Sequence, residues 1–199
     1  MFGSALRSRW AVVVAILGGL AVSGGLVWQA SYSAFSATTT NPTSNWASGT
    51  VALSDDDSNT ALFTASNLKP GSTGTKCIAV TSNGSLASTV KLYGTGAATT
   101  NALSSSINLT ITQGTGGTFA NNCSGFTPLG TGSSVFSGTL AGFATGSTGF
   151  ANGLGTWAPT GTAPETRVFQ LVYTLDTNAP NGTQGGTAAL GFTWEAQNS

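Results

Sequence analysis

The chain has 199 residues, of which only 6% are charged, with no His and a formal net charge of zero. The absence of any basic patch excludes an electrostatic nucleic-acid binder. Without His, neither a Ser–His pair nor an HExxH helix can be built.

Residues 1–34 read as a secretory signal-peptide helix. Arg7 and Arg9 form its positive start, Ala11 to Val27 is apolar but for Ser23, and small residues follow at Ser31, Ser33 and Ala34. Cleavage is expected between Ala34 and Phe35. The alternative is a retained anchor, since the run approaches the ~18–20 residues of a span. Gly18, Gly19, Gly24 and Gly25 weaken that helix.

Beyond the signal, Phe35 to Asn45 is a Thr-rich extended arm containing Pro42. Trp46 to Leu53 alternates and predicts a short strand. Ser54 to Asn59 reads as a polar hairpin loop, and Thr60 to Ser66, with Leu62 and Phe63, as its returning strand. Pro70-Gly71 predicts a turn. Asn83-Gly84 fits a type I′ hairpin, and Thr75 to Thr81 is a strand between the two. Ser88 to Tyr93 is a further strand, followed by a low-complexity loop from Gly94 to Ser105.

Ile107, Leu109 and Ile111 alternate with Asn108, Thr110 and Thr112, the pattern of a half-buried strand. Val135 to Leu140 is a strand or the start of a helical turn through Phe143. Gly146 to Gly161 is a loop holding Trp157. Arg167 to Leu175 and Thr187 to Ala196 are the last strands, the latter with Leu190, Phe192 and Trp194 on one face. About eight or nine short strands with almost no helical periodicity predict an all-β fold. The expected architecture is an antiparallel β-sandwich of jelly-roll type over residues 46–199, after a signal (1–34) and an arm (35–45).

The two cysteines, Cys77 and Cys123, predict a disulfide in a secreted chain. Closing that loop of about 47 residues is worth about 4 kcal/mol. The alternative is two buried free thiols. Two lone Cys without His lack the ligands for a metal site. Asp55-Asp56-Asp57 could offer oxygens to Ca²⁺ but reads as a solvated loop tip. Glu165, Asp176 and Glu195 are unpaired in sequence, with Glu195 read as a surface charge. Trp157 and Trp194 read as packing groups. No catalytic set, metal or cofactor is expected. A nearly uncharged surface leaves strand edges open to pairing, and the arm (Phe35, Ser36, Ala37, Thr38, Thr39, Thr40) could add to an open edge of a neighbour.

Several stretches resemble the TasA/camelysin family of secreted proteins from Gram-positive bacteria. They are Ala34-Phe35-Ser36 at the signal exit, Trp46-Ala47-Ser48-Gly49-Thr50-Val51-Ala52-Leu53, Asn67-Leu68-Lys69-Pro70-Gly71 and Asn83-Gly84-Ser85-Leu86-Ala87. Phe192-Thr193-Trp194-Glu195-Ala196-Gln197 resembles the family's closing strand, one residue shorter in spacing. Gly94 to Arg167 matches only loosely. The resemblance implies a jelly-roll sandwich, export through a SipW-type signal peptidase, and assembly into extracellular or cell-surface fibres of a biofilm matrix. Partners would be further copies or related matrix subunits, with Phe35 to about Asn45 completing a neighbour's sheet. Camelysin carries a metalloprotease label, but a chain without His has no zinc-ligand set, so a secreted metallopeptidase is the weaker alternative. A monomeric surface adhesin using Trp157 or Trp194 is another.

Overall fold

A computed structural model describes residues 36–38, 50–162 and 164–198. The expected signal helix, the Ala34–Phe35 cleavage site, arm residues Thr39 and Thr40, and the first part of the Trp46–Leu53 strand lie outside the described residues.

The sheet framework grows from one long strand, β8 (Glu165–Leu175). All ten residues of β3 (Thr73–Ser82) pair with it, from Thr73 opposite Thr174 to Ser82 opposite Glu165. On the other side β5 (Ile107–Thr115) pairs from Ile107 opposite Leu175 to Gly114 opposite Val168. Alternation explains these strands: Ile107, Leu109 and Ile111 are buried while Asn108 and Thr110 are exposed. β2 (Leu53–Asp55) extends the sheet beyond β3, and β6 (Thr127–Pro128) and β7 (Ser134–Thr139) both pair with β5. These six strands form one sheet, and three form another: β9 (Ala188–Asn198) runs between β4 (Ser88–Thr99) and β1 (Ser36–Thr38). Every strand pairing is antiparallel, so the all-β antiparallel expectation holds.

The two sheets share one core. Leu92, Trp194 and Ala196 from the smaller sheet meet Ile78, Val80, Ile111, Phe169 and Leu171 from the larger. Phe169 lies between two tryptophans, with ring centroids 6.5 Å from Trp157 and 5.3 Å from Trp194. Helix α1 (Leu140–Gly146) is capped by Thr139, whose hydroxyl accepts the Gly142 N–H at 3.0 Å. It plants the fully buried Phe143 edge-on to Phe136. The strand and the helical turn considered for Val135 to Phe143 therefore both form, one after the other.

Four expectations are corrected. Asn83-Gly84 is no type I′ turn, because neither residue has positive φ. Asn83 and Ser85 donate instead to the carbonyls of Ala52 and Thr50, at 2.9 and 2.8 Å. A Cβ on Gly84 would lie 2.5 Å from the Thr50 oxygen, so glycine serves close backbone approach there. The chain then crosses from β3 to β4 in the other sheet rather than folding back. Ser54 and Asp55 belong to β2, not to a hairpin loop. Thr60–Ser66 is irregular, bounded by positive φ at Ser58, Asn59 and Asn67. It is held by side chains: Leu62 is buried and Phe63 stands edge-on to Tyr173 at 5.0 Å. Gly94–Thr99 continues β4 past a bulge between Thr95 and Ala98. Small residues there let the strand pair with Ala188 and Ala189, and the space left by Gly94 admits Leu190.

The Pro70-Gly71 turn forms as expected. Ser72 donates to the Lys69 carbonyl at 2.8 Å, and Gly71 has φ 84°. Because Phe169 sits at the centre of the shared core, Phe169→Ala is expected to cost about 3–5 kcal/mol of folding stability. Urea unfolding followed by Trp fluorescence would measure it, and a loss below about 1 kcal/mol would contradict this packing.

Candidate functional site: an open strand edge and its cleft

Among the described residues, one side of β9 is only partly paired. Toward β4 the strand is paired from Ala188 to Asn198, apart from the bulge. On the opposite side β1 pairs with only three residues: Ser36 opposite Gln197, Ala37 opposite Ala196 and Thr38 opposite Glu195. Among the described residues no strand pairs with residues 188–194 on that side. An edge of this kind presents free N–H and C=O groups to an added strand.

Alongside it lies a cleft of about 940 Å³. Leu190, Phe192 and Trp194 of β9, Leu109, Tyr173 and Leu175 of the larger sheet, and Leu62 and Phe63 all line it. A size near the upper end of ordinary ligand pockets, with mostly apolar lining, marks a place where packing is unfinished. The Trp194 indole N–H is buried without an acceptor among the described residues, which sets it apart from most buried donors.

The structure places the first part of the arm on this chain's own β9. Ser36, Ala37 and Thr38 form β1, while Phe35, Thr39 and Thr40 lie outside the described residues. Opposite Thr38 is Glu195. It is not the surface charge expected from sequence, being only 9% exposed. Its carboxylate accepts the Tyr93 hydroxyl at 2.8 Å and the Gln197 amide at 2.9 Å. Burial first, then the hydrogen bond and charge of Glu195, push the Tyr93 hydroxyl from 10.0 to about 12.

Cys77 and Cys123 form the expected disulfide, with Cα atoms 5.1 Å apart and Cys77 fully buried. Because β8 lies between β5 and β3, the loop after β5 has to cross β8 to reach Cys77. Two further contacts hold it: the Phe119 N–H donates to Asp56 at 2.8 Å, and the Lys76 ammonium lies 5.0 Å from the Phe119 ring centre.

Asp56 is therefore no solvated tip. Its other oxygen accepts the Ala79 N–H at 2.8 Å, just beyond the last residue of β3 that β2 pairs. Burial, then the neighbouring Asp57 carboxylate, hold Asp55 above the ordinary carboxylate value. Among the described residues no three acidic or sulfur side chains are grouped to hold a metal ion.

The other carboxylates serve local structure. Glu165 accepts the Thr160 N–H and hydroxyl at 2.6 and 2.7 Å, which lowers its pKa. Asp176 accepts the Asn178 N–H at 2.7 Å. Trp157 and Trp194 are 4% and 2% exposed, so neither offers an open ring face to a sugar. Sequence reading missed the cleft, the Asp56 clip and the Tyr93–Glu195 pair. Alternation placed Glu195 on the outer face of β9 but could not show that this face is covered there.

No protein-family model matches the chain, and no curated protein matches it.

Tyr93→Phe removes a hydrogen bond to a buried carboxylate and is expected to cost about 1.5–3 kcal/mol near neutral pH. A hydroxyl whose folded pKa is raised stabilises fully below about 10, and that stabilisation is lost as pH rises through about 12. The gap between wild type and Tyr93→Phe should therefore close over that window in paired urea titrations. A gap independent of pH would contradict the pairing.

Proposed function

We propose that this is a secreted structural protein of the cell surface or biofilm matrix. In this reading it is a jelly-roll sandwich that builds fibres by laying its N-terminal arm along β9 of the next copy. The observation that carries it is the seat on β9. Residues 195–197 already accept Ser36–Thr38, and residues 188–194 continue that edge without a partner among the described residues. Carried on in the same register, a donated arm would set Thr39 opposite Trp194 and Asn45 opposite Ala188. The length of the arm, 35–45, thus matches the length of the edge. Pro42 would fall opposite Gly191, on the outermost strand, where a missing N–H is tolerated.

An arm rich in Thr, Ser and Asn binds through main-chain hydrogen bonds more than through burial. Addition of one copy's arm to the next copy's edge is head-to-tail, and such a contact extends into a filament unless the rotation closes a ring. The Cys77–Cys123 disulfide supports folding in an oxidising compartment, as export through a SipW-type signal peptidase would require. The family resemblance points the same way, with related matrix subunits as the other class of partner.

The test is negative-stain electron microscopy and sedimentation of protein beginning at Phe35, against protein beginning at Trp46. Fibres are expected only from the first. Monomers from both, at high concentration and across pH, would end the structural reading. Fibres from both would end strand donation.

A further inference from the structure

We propose that the loop Gly116–Phe126 is a hinged cover over the outer face of the larger sheet, and that the Cys77–Cys123 disulfide is its latch, opened by a dithiol. This holds whether or not the protein builds fibres.

What lies beneath the loop points to a cover. Ile78 and Val80 belong to the shared core, so Cys77 and Ala79, which alternate with them, face outward. Val168 lies opposite Ala79 and shares that face. Elsewhere on it Thr73 and Thr110 are exposed, yet Cys77 is 0% and Val168 only 4% exposed. Gly114 pairs with Val168, and a Cβ on it would lie 2.7 Å from the Phe126 ring. Glycine at that position lets the loop lie down on the sheet.

The loop stands on a narrow root. Its ends are paired, Gly114 opposite Pro128 and Thr115 opposite Thr127. Gly116, Gly117 and Gly125, all at positive φ, flank that root. A few such positions at the end of an element are enough to absorb a hinge motion. Beyond the root the loop holds its own shape. The Asn121 side-chain oxygen accepts the Thr118 N–H at 2.7 Å, and the Asn121 amide donates to the Ser124 carbonyl at 3.2 Å. The disulfide therefore fixes where the loop sits more than how it is folded. Its companions on the sheet, the Phe119 N–H bond to Asp56 and the Lys76 contact with the Phe119 ring, are both exchangeable for water.

Opening is a thiol–disulfide exchange. Cys123 is partly exposed and Cys77 is not, so the incoming thiolate attacks the Cys123 sulfur. The Sγ–Sγ bond breaks, a mixed disulfide forms, and Cys77 leaves as a thiolate. The second thiol of the dithiol attacks the mixed bond and releases Cys123. Two electrons pass to the protein, the dithiol ends as its own disulfide, and its two protons end on Cys77 and Cys123. An oxidising compartment drives the reverse exchange and shuts the cover.

The test uses unsubstituted protein without denaturant, with dithiothreitol as the dithiol and iodoacetamide as the thiol probe. After reduction, Cys77 should be alkylated along with Cys123. The Phe119 amide should exchange with solvent roughly tenfold faster or more, while the Leu171 amide in the middle of β8 keeps its rate. Reoxidation of unalkylated protein should restore slow exchange at Phe119. A disulfide that resists dithiothreitol until the protein is denatured would overturn the latch. Alkylation of Cys123 alone, with Phe119 exchange unchanged, would show that the loop stays down without the bond and would overturn the cover. Equal acceleration at Leu171 would make the disulfide a support of the whole sheet and would overturn it too.

Discussion

A six-stranded sheet with an apolar inner face has to be covered, and among the described residues three strands are available to cover it. One of those three contributes three residues. The rest of the structure answers that shortage. Large side chains from outside the sheets make up the missing layer: Phe143 from α1, Trp157 from a loop, and Leu62 and Phe63 from an irregular segment. Trp194 fills more of the gap than a smaller strand residue could, at the cost of an indole N–H without an acceptor among the described residues. Where these fillers run out, the cleft beside β9 begins. The open edge and the cleft are thus two views of one deficit, and they share Leu190, Phe192 and Trp194.

Sequence reading succeeded where structure is set by neighbours along the chain. β5, β8 and β9 were legible because one face is buried and the other is not, and Pro70-Gly71 because its backbone preference is local. The disulfide was legible because only two cysteines exist to pair. Reading failed where the partner strand decides. Asn83-Gly84 has the composition of a hairpin turn, yet Gly84 is used for close contact with Thr50 and Ala52. Gly94–Thr99 has the composition of a loop, yet it is a strand because Ala188 and Ala189 lie opposite. Leu62 and Phe63 are as apolar as strand residues, but positive φ on both sides removes their segment from any sheet. The cleft was out of reach for the same reason, since it depends on how many strands each sheet receives.

Most of the few charges are tied to neighbouring groups rather than left free, though of the described ones only Glu195 is buried. Asp56 ties β3 to the loop bearing Cys123, Glu195 is held by Tyr93 and Gln197, and Glu165 and Asp176 close local turns. Two of the three lysines are engaged as well: Lys91 donates to the Gly155 carbonyl at 2.8 Å, and Lys76 faces Phe119. What remains for solvent is mostly Thr, Ser, Asn and Gly. Charges, and lysine above all, are the usual guard on an exposed strand edge. Here the open stretch of β9, Ala188 to Trp194, carries none.

Chain order gives this edge a further consequence. β9 is the last strand and β1 the first, and their pairing joins residues about 160 positions apart. The seat of β1 therefore exists only once the end of the chain has folded. β9 in turn needs β4, a hundred residues upstream, to be in place on its other side.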